Sequence, residues 1–157
     1  MHRHSYKGRK FGRETDQRRA LRRGLMCSLI GYQSITTTLA RCKEIRREME
    51  KLITKARKGG LQNRRLIIAR LNNIDAAAIL VDVIAPQIKR DSGYLRIEQA
   101  GYRRGDNAEM GTISFVDEID YDFEPNEADK AAKTTKKTSE ASAKATEAKK
   151  SAKKEDK

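Results

Sequence analysis

The chain has 157 residues, with 35 Lys and Arg against 22 Asp and Glu and a formal net charge of +13. Setting aside a C-terminal stretch with no large apolar residue leaves about 120 residues, room for one compact domain and one core. No apolar run approaches the roughly 20 residues that span a bilayer, and the first residues lack the apolar segment of a secretion signal. The expectation is an intracellular (cytoplasmic) protein with a polyanionic partner, no membrane and no small-molecule substrate.

Residues 1–13 form a basic arm. With residues 14–23 they hold nine Arg and Lys against two acids, and almost no apolar mass. Such a segment cannot build a core, so it awaits an anion to order it, and nucleic acid is the expected ligand. In isolation Met1–Arg13 is expected to be mobile.

The folded region is expected over residues 14–118. Glu14, Thr15 and Asp16 offer a helix start with acids in the first turn. The helix should run to about Ile30, with Leu21, Leu25 and Leu29 inward, and stop at Gly31. Ser34–Thr38 (SITTT) is β-branched and predicts a short strand, after which Thr38 caps a second helix. Leu39, Cys42, Ile45, Met49, Leu52, Ile53 and Ala56 there make one stripe at spacings of three and four, ending at Gly59 and Gly60.

Leu61–Leu71 predicts a third helix, halted by Asn72 and Asn73. From Asp75 a fourth is apolar nearly all round, which predicts burial at the domain's centre and an end or kink near Pro86. Tyr94–Gln99 and Thr112–Val116 read as strands, joined by a long basic loop, GYRRGDNAEMG. Three strands against a layer of helices define an α+β two-layer domain. Residues 119–157 are expected to add an acidic segment, the end of the run DEIDYDFE at 117–124, and then a disordered Lys/Ala-rich tail.

No catalytic constellation emerges. Both histidines lie in the arm, no glycine-rich phosphate loop is present, and acids in the folded region mostly sit beside Arg or Lys at helical spacing. Cys27 and Cys42 lack metal-ligand spacing, so reduced thiols are expected, with no catalytic, metal or cofactor site. Arg-Gly-Asp at 104–106 is a chance turn sequence. The basic residues divide by type: residues 1–116 hold 18 Arg and 7 Lys, the last 33 hold ten Lys and no Arg. Arginine grips phosphate with a planar fork and stacks on bases, whereas lysine is a mobile point charge, so defined contacts belong to the domain. Three arginine-rich places stand out: the arm with the start of the first helix, Arg64 with Arg65, and Arg103 with Arg104. Tyr6 and Phe11 suit stacking on unpaired bases, which favours irregular RNA over duplex DNA. A DNA packager is the rival prompted by the tail.

The blocks GRKFGR at 8–13, RRALRRGLMCSLI at 18–30, ITTTLARCKEIR at 35–46, EKLITKAR at 50–57, NRR at 63–65, SGYLRI at 92–97 and RRGDNAEM at 103–110 resemble, in order and spacing, the bacterial large-subunit ribosomal protein seventeen (L17) family. The resemblance implies helix, strand, three helices and two strands, with a small mixed three-stranded sheet. It implies a non-catalytic structural constituent of the large ribosomal subunit, supporting translation. Its partners would be large-subunit rRNA and neighbouring ribosomal proteins near the nascent-chain exit side. Carried over by position, the rRNA-binding residues would be Arg3, Lys7, Arg9, Lys10, Arg13, Arg18, Arg19, Arg22, Arg64, Arg65, Arg96, Arg103 and Arg104. Thr15, Asp16 and Gln17 depart from the family's Ser-Ser-His. Arg47 replaces a common Pro, which predicts an uninterrupted second helix.

Overall fold

A computed structural model describes residues 8–121; the first seven residues of the arm and everything from Asp122 onward, tail included, lie outside the described residues. The element order is α1 (Thr15–Tyr32), β1 (Ser34–Thr38), α2 (Leu39–Lys58), α3 (Leu61–Leu71), α4 (Ile74–Ala78), a π-helical stretch (Ile79–Ile84), α5 (Ala85–Gln87), β2 (Leu95–Tyr102) and β3 (Glu109–Phe115). This is the α+β arrangement expected from the sequence.

The helix α2 organises the molecule. All seven residues of its apolar stripe are buried, and it packs on the sheet, on α1 and on α3. Arg47 leaves its hydrogen-bond ladder unbroken from Leu39 to Lys58. The fourth helical segment is therefore not the centre. Ala76, Ala77, Leu80, Ile84 and Ala85 face the core, but Ile74 is 70% exposed and Asp75 and Asp82 face water. Its ladder widens before Pro86, with the Ala85 N–H bonding to the Leu80 carbonyl five residues back. Proline lacks an N–H and its ring crowds the carbonyl four residues earlier, so a wide turn ahead of it relieves the clash and the helix ends at Gln87.

The end of α1 also differs from expectation. Gly31 is buried inside the helix, and the chain turns at Gln33, in the left-handed region at φ 61°, whose N–H bonds to the Leu29 carbonyl at 2.9 Å. A glycine costs a helix only about 1 kcal/mol, which packing overrides. The inward residues are Met26, Leu29 and Ile30, while Leu21 and Leu25 are only half-buried. Asn72, at φ 55°, ends α3 as expected.

The sheet has the order β1-β3-β2 and is antiparallel throughout, not mixed. Ile35, Ile113 and Ile97 align across it on the helix side, while Thr36, Thr112 and Glu98 align on the open face. Both hairpin strands run further than their polar sequences suggest. Ala100 and Gly101 oppose the single residue Met110, a bulge that Gly101 accommodates at φ 82°, and pairing then resumes at Tyr102 and Glu109. The expected long loop is thus only residues 103–108. At Gly111 the start of α2 comes so close that a Cβ would stand 3.2 Å from Leu39 Cδ1.

Packing continues beyond residue 118, where the sequence draws the domain's edge. Ile119 is buried, Tyr121 packs on the core, and Gln87 exchanges two hydrogen bonds with the Asp120 backbone. The Tyr121 carbonyl accepts from Gln33 Nε2 at 2.7 Å. Residues 117–121 therefore belong to the domain, with Ile119 buried and the acids at its surface.

Candidate nucleic-acid interface

On α1 the helical face that carries Met26, Leu29 and Ile30 into the core changes chemistry toward the N-terminus. Arg23, Arg22 and Arg19 stand three, four and seven residues before Met26, where the apolar stripe would continue. That half of α1 lies over the seam between α2 and α3. Arg19, Arg22, Arg23 and Met26 line a cleft there with Glu48 of α2 and Arg70 of α3.

Glu48 lies three residues after Ile45 and four before Leu52, on the flank of the buried stripe, and its side chain is only 16% exposed. Its Oε1 accepts from Arg22 Nη1 and from Arg70, the latter at 3.0 Å. Arg22 is four-fifths covered, whereas Arg70 is half exposed. Arg23 Nε donates to the Arg70 carbonyl at 3.1 Å, placing a cation at the negative end of α3. Beside this cleft, a groove of about 630 Å³ between α2 and α3 carries Arg47, Lys51 and Lys55 at spacings of four, over Leu52, Leu66 and Ala69.

The root of the arm is folded onto this region. Residues 10–13 make a tight turn, with the Arg13 N–H on the Lys10 carbonyl. Arg18 holds the turn by donating to the Arg13 carbonyl at 3.2 Å and to Thr15 Oγ1 at 3.3 Å. A Cβ on Gly8 would stand 2.5 Å from Glu44 Oε1, which puts the arm beside α2. Arg9, Lys10 and Arg13 are exposed there. Arg3 and Lys7 lie outside the described residues.

The remaining predicted residues are placed elsewhere. Arg64 makes a two-pronged pair with Asp82 at 3.0 and 2.8 Å, while Arg65 beside it is exposed. Arg96 is on the sheet's open face, 3.8 Å from Glu98, with the sheet between it and the helices. Arg103 grips Asp106 at 3.0 and 2.6 Å within the hairpin turn, and Arg104 is exposed at its tip. The Arg103 hydrogen bonds hold the Asp106 carboxyl down at about 2. These pairs lie at the surface, where solvent screens the attraction and little of it goes into stability. Arg23, Arg70 and Glu48 were not among the sequence candidates. The available signal was register: Arg23 shares the face of Met26, and Glu48 flanks the α2 stripe.

Among the described residues no group of His, Cys, Asp or Glu could hold a metal ion, and no helix is long and apolar enough to cross a membrane. Both cysteines are free thiols, pushed up in pKa by burial. Fold and surface together define a small basic α+β protein whose elaborated chemistry is guanidinium. The profile of the family described as Ribosomal protein L17 matches residues 21–116. The chain is 44% identical to "Large ribosomal subunit protein bL17" of Mesorhizobium japonicum over 116 residues, which is 73% of this chain and 81% of that one. The protein of the same name from Bdellovibrio bacteriovorus is 45% identical over 130 residues, 82% of this chain and 70% of that one. That of Rhodopseudomonas palustris is 46% identical over 110 residues, 69% and 79% respectively. The chain belongs to the bacterial ribosomal protein L17 family, whose members are structural ribosomal proteins and not enzymes.

Proposed function

We propose that this protein is a structural constituent of the large ribosomal subunit that binds large-subunit rRNA through its basic arm and arginine clusters. Family membership supports the place in the subunit. The observation that supports RNA as the ligand is the conversion of the α1 core stripe into guanidiniums at Arg19, Arg22 and Arg23, next to the root of the arm. Arginine there can meet phosphate with a fork, while the helical layer fixes the direction in which the arm leaves the domain. The protein works in the cytoplasm, with neighbouring ribosomal proteins as partners, on the side of the subunit where nascent chains emerge.

The mechanism is electrostatic. Each phosphate neutralised releases counterions, so log affinity falls with log salt by about 0.7–0.9 per contact. Filter binding of the purified protein to large-subunit rRNA across a salt series tests this. A steep negative slope is expected, and a slope of zero would refute rRNA binding by arm and arginines.

A further inference from the structure

The cleft over Glu48 is more than a stretch of positive surface. Four arginines from two helices, Arg19, Arg22, Arg23 and Arg70, line one cleft, and the guanidiniums of Arg22 and Arg70 share its single carboxylate, Glu48. As a device for stability the arrangement is poor. Glu48 Oε1 serves two arginines while Oε2 and Arg22 Nε, both enclosed, have no hydrogen-bond partner. A partly satisfied, largely buried ionic group contributes little to folding, because desolvation cancels most of the attraction. The same arrangement suits an external anion. Glu48 holds Arg22 and Arg70 in fixed directions and leaves three positive charges in excess, so the forks are ordered before a ligand arrives.

We propose that Arg19, Arg22, Arg23 and Arg70 form a preorganised seat for one backbone phosphate of folded RNA, with Glu48 as a positioning residue. The seat rests on the rRNA-binding reading and adds to it Arg23, Arg70 and Glu48, none of which is among the rRNA-binding residues carried over from the family resemblance. Because the arginines bridge α1 and α3, a phosphate bound there ties the two helices together at the root of the arm. An RNA phosphate, not free phosphate, is the ligand that the neighbouring basic groove would extend, through Arg47, Lys51 and Lys55.

The test is filter binding of the full chain to large-subunit rRNA across a salt series, with each variant checked for folding by circular dichroism. Arg70→Gln should weaken binding at every salt concentration and lower the slope by no more than the roughly 0.7–0.9 of one phosphate contact. Lys89→Gln removes the same charge from an exposed residue that lines neither the cleft nor the groove and should leave the slope unchanged. Arg70→Lys keeps the charge and loses the fork, so the slope should hold while affinity drops. Glu48→Gln raises the net charge by one; it should nevertheless weaken binding, since the arginines lose their anchor, whereas tightening would overturn the positioning role. A wild-type protein that binds with a steep slope, together with an Arg70→Gln variant indistinguishable from Lys89→Gln, would overturn the seat and leave rRNA binding standing. Salt-independent wild-type binding would instead overturn the underlying reading.

Discussion

Replacing Glu48 with methionine should expose how the Arg22–Glu48–Arg70 cluster is balanced. The substitution keeps the bulk but strips two guanidiniums of their acceptor, and Arg22, four-fifths covered, cannot turn fully to water. Breaking a fully buried pair costs about 3–5 kcal/mol. Since a fifth of Arg22 is wet and Arg70 is half exposed, the expected loss is nearer 1–3 kcal/mol, the cost of leaving a buried polar group unpaired. Adding Arg22→Met removes the stranded cation and places two apolar side chains beside Met26. The double variant should therefore recover to within about 1 kcal/mol of the starting protein. Urea unfolding reads this directly: the Glu48→Met midpoint should fall by roughly 1 M, and the double variant's should return most of the way at constant slope. A completed cycle should give a coupling of about 1–3 kcal/mol between the two positions. If the double variant loses the sum of the two single losses, the cluster stabilises the fold outright and the reasoning fails.

Two further outcomes follow from the hairpin and the sheet. The Asp106 carboxyl titrates at about 2, below its ordinary value of 3.8, because Arg103 bonds to it. The Arg103–Asp106 clasp should thus be intact above the ordinary range and open only as pH falls through about 2. In Arg103→Gln the carboxyl carbon's NMR titration should move back toward 3.8, and an unmoved midpoint would refute the assigned cause. Gly111→Ala places a methyl 3.2 Å from Leu39 Cδ1, 3.4 Å from the Glu98 carbonyl and 3.6 Å from Cys42 Sγ. Overpacking of this kind costs about 1–3 kcal/mol, so the melting temperature should drop by several degrees; an unchanged or higher value would show that Leu39 yields freely.

Where periodicity is long and unopposed, the sequence was a good guide. The seven-residue stripe of α2 is the buried face residue for residue, and the limits of α3 follow from Gly60 and Asn72. It was a poorer guide where tertiary contacts override local preference. Gly31 sits inside α1 because the core packs around it, and Asp75 and Asp82 put one side of the fourth helical segment in water although it looks apolar nearly all round. The strands extend through polar residues because one face is open and a glycine bulge restores the register. For the interface, composition located the arm and the arginine-rich segments. Which arginines converge was illegible, since it depends on how α1 crosses the α2–α3 seam, and no spacing along one helix reports that.

The order of the strands sets the order in which the chain can be assembled. Among the described residues β3 is the middle strand of the sheet and the last in sequence; β1 and β2 do not pair with each other, and the register joins Ser34 to Ser114, eighty positions apart. A chain growing from its N-terminus can pack α1, α2 and α3 through contacts close in sequence, but it has no partner for β1 until residues 109–115 have been made. Until then Ser34–Thr38 presents bare amide and carbonyl groups, and a chain cut short at residue 108 has no sheet at all. The final strand is thus the step that commits the whole layer, and a translation pause just before it would hold the protein as a helical half-molecule.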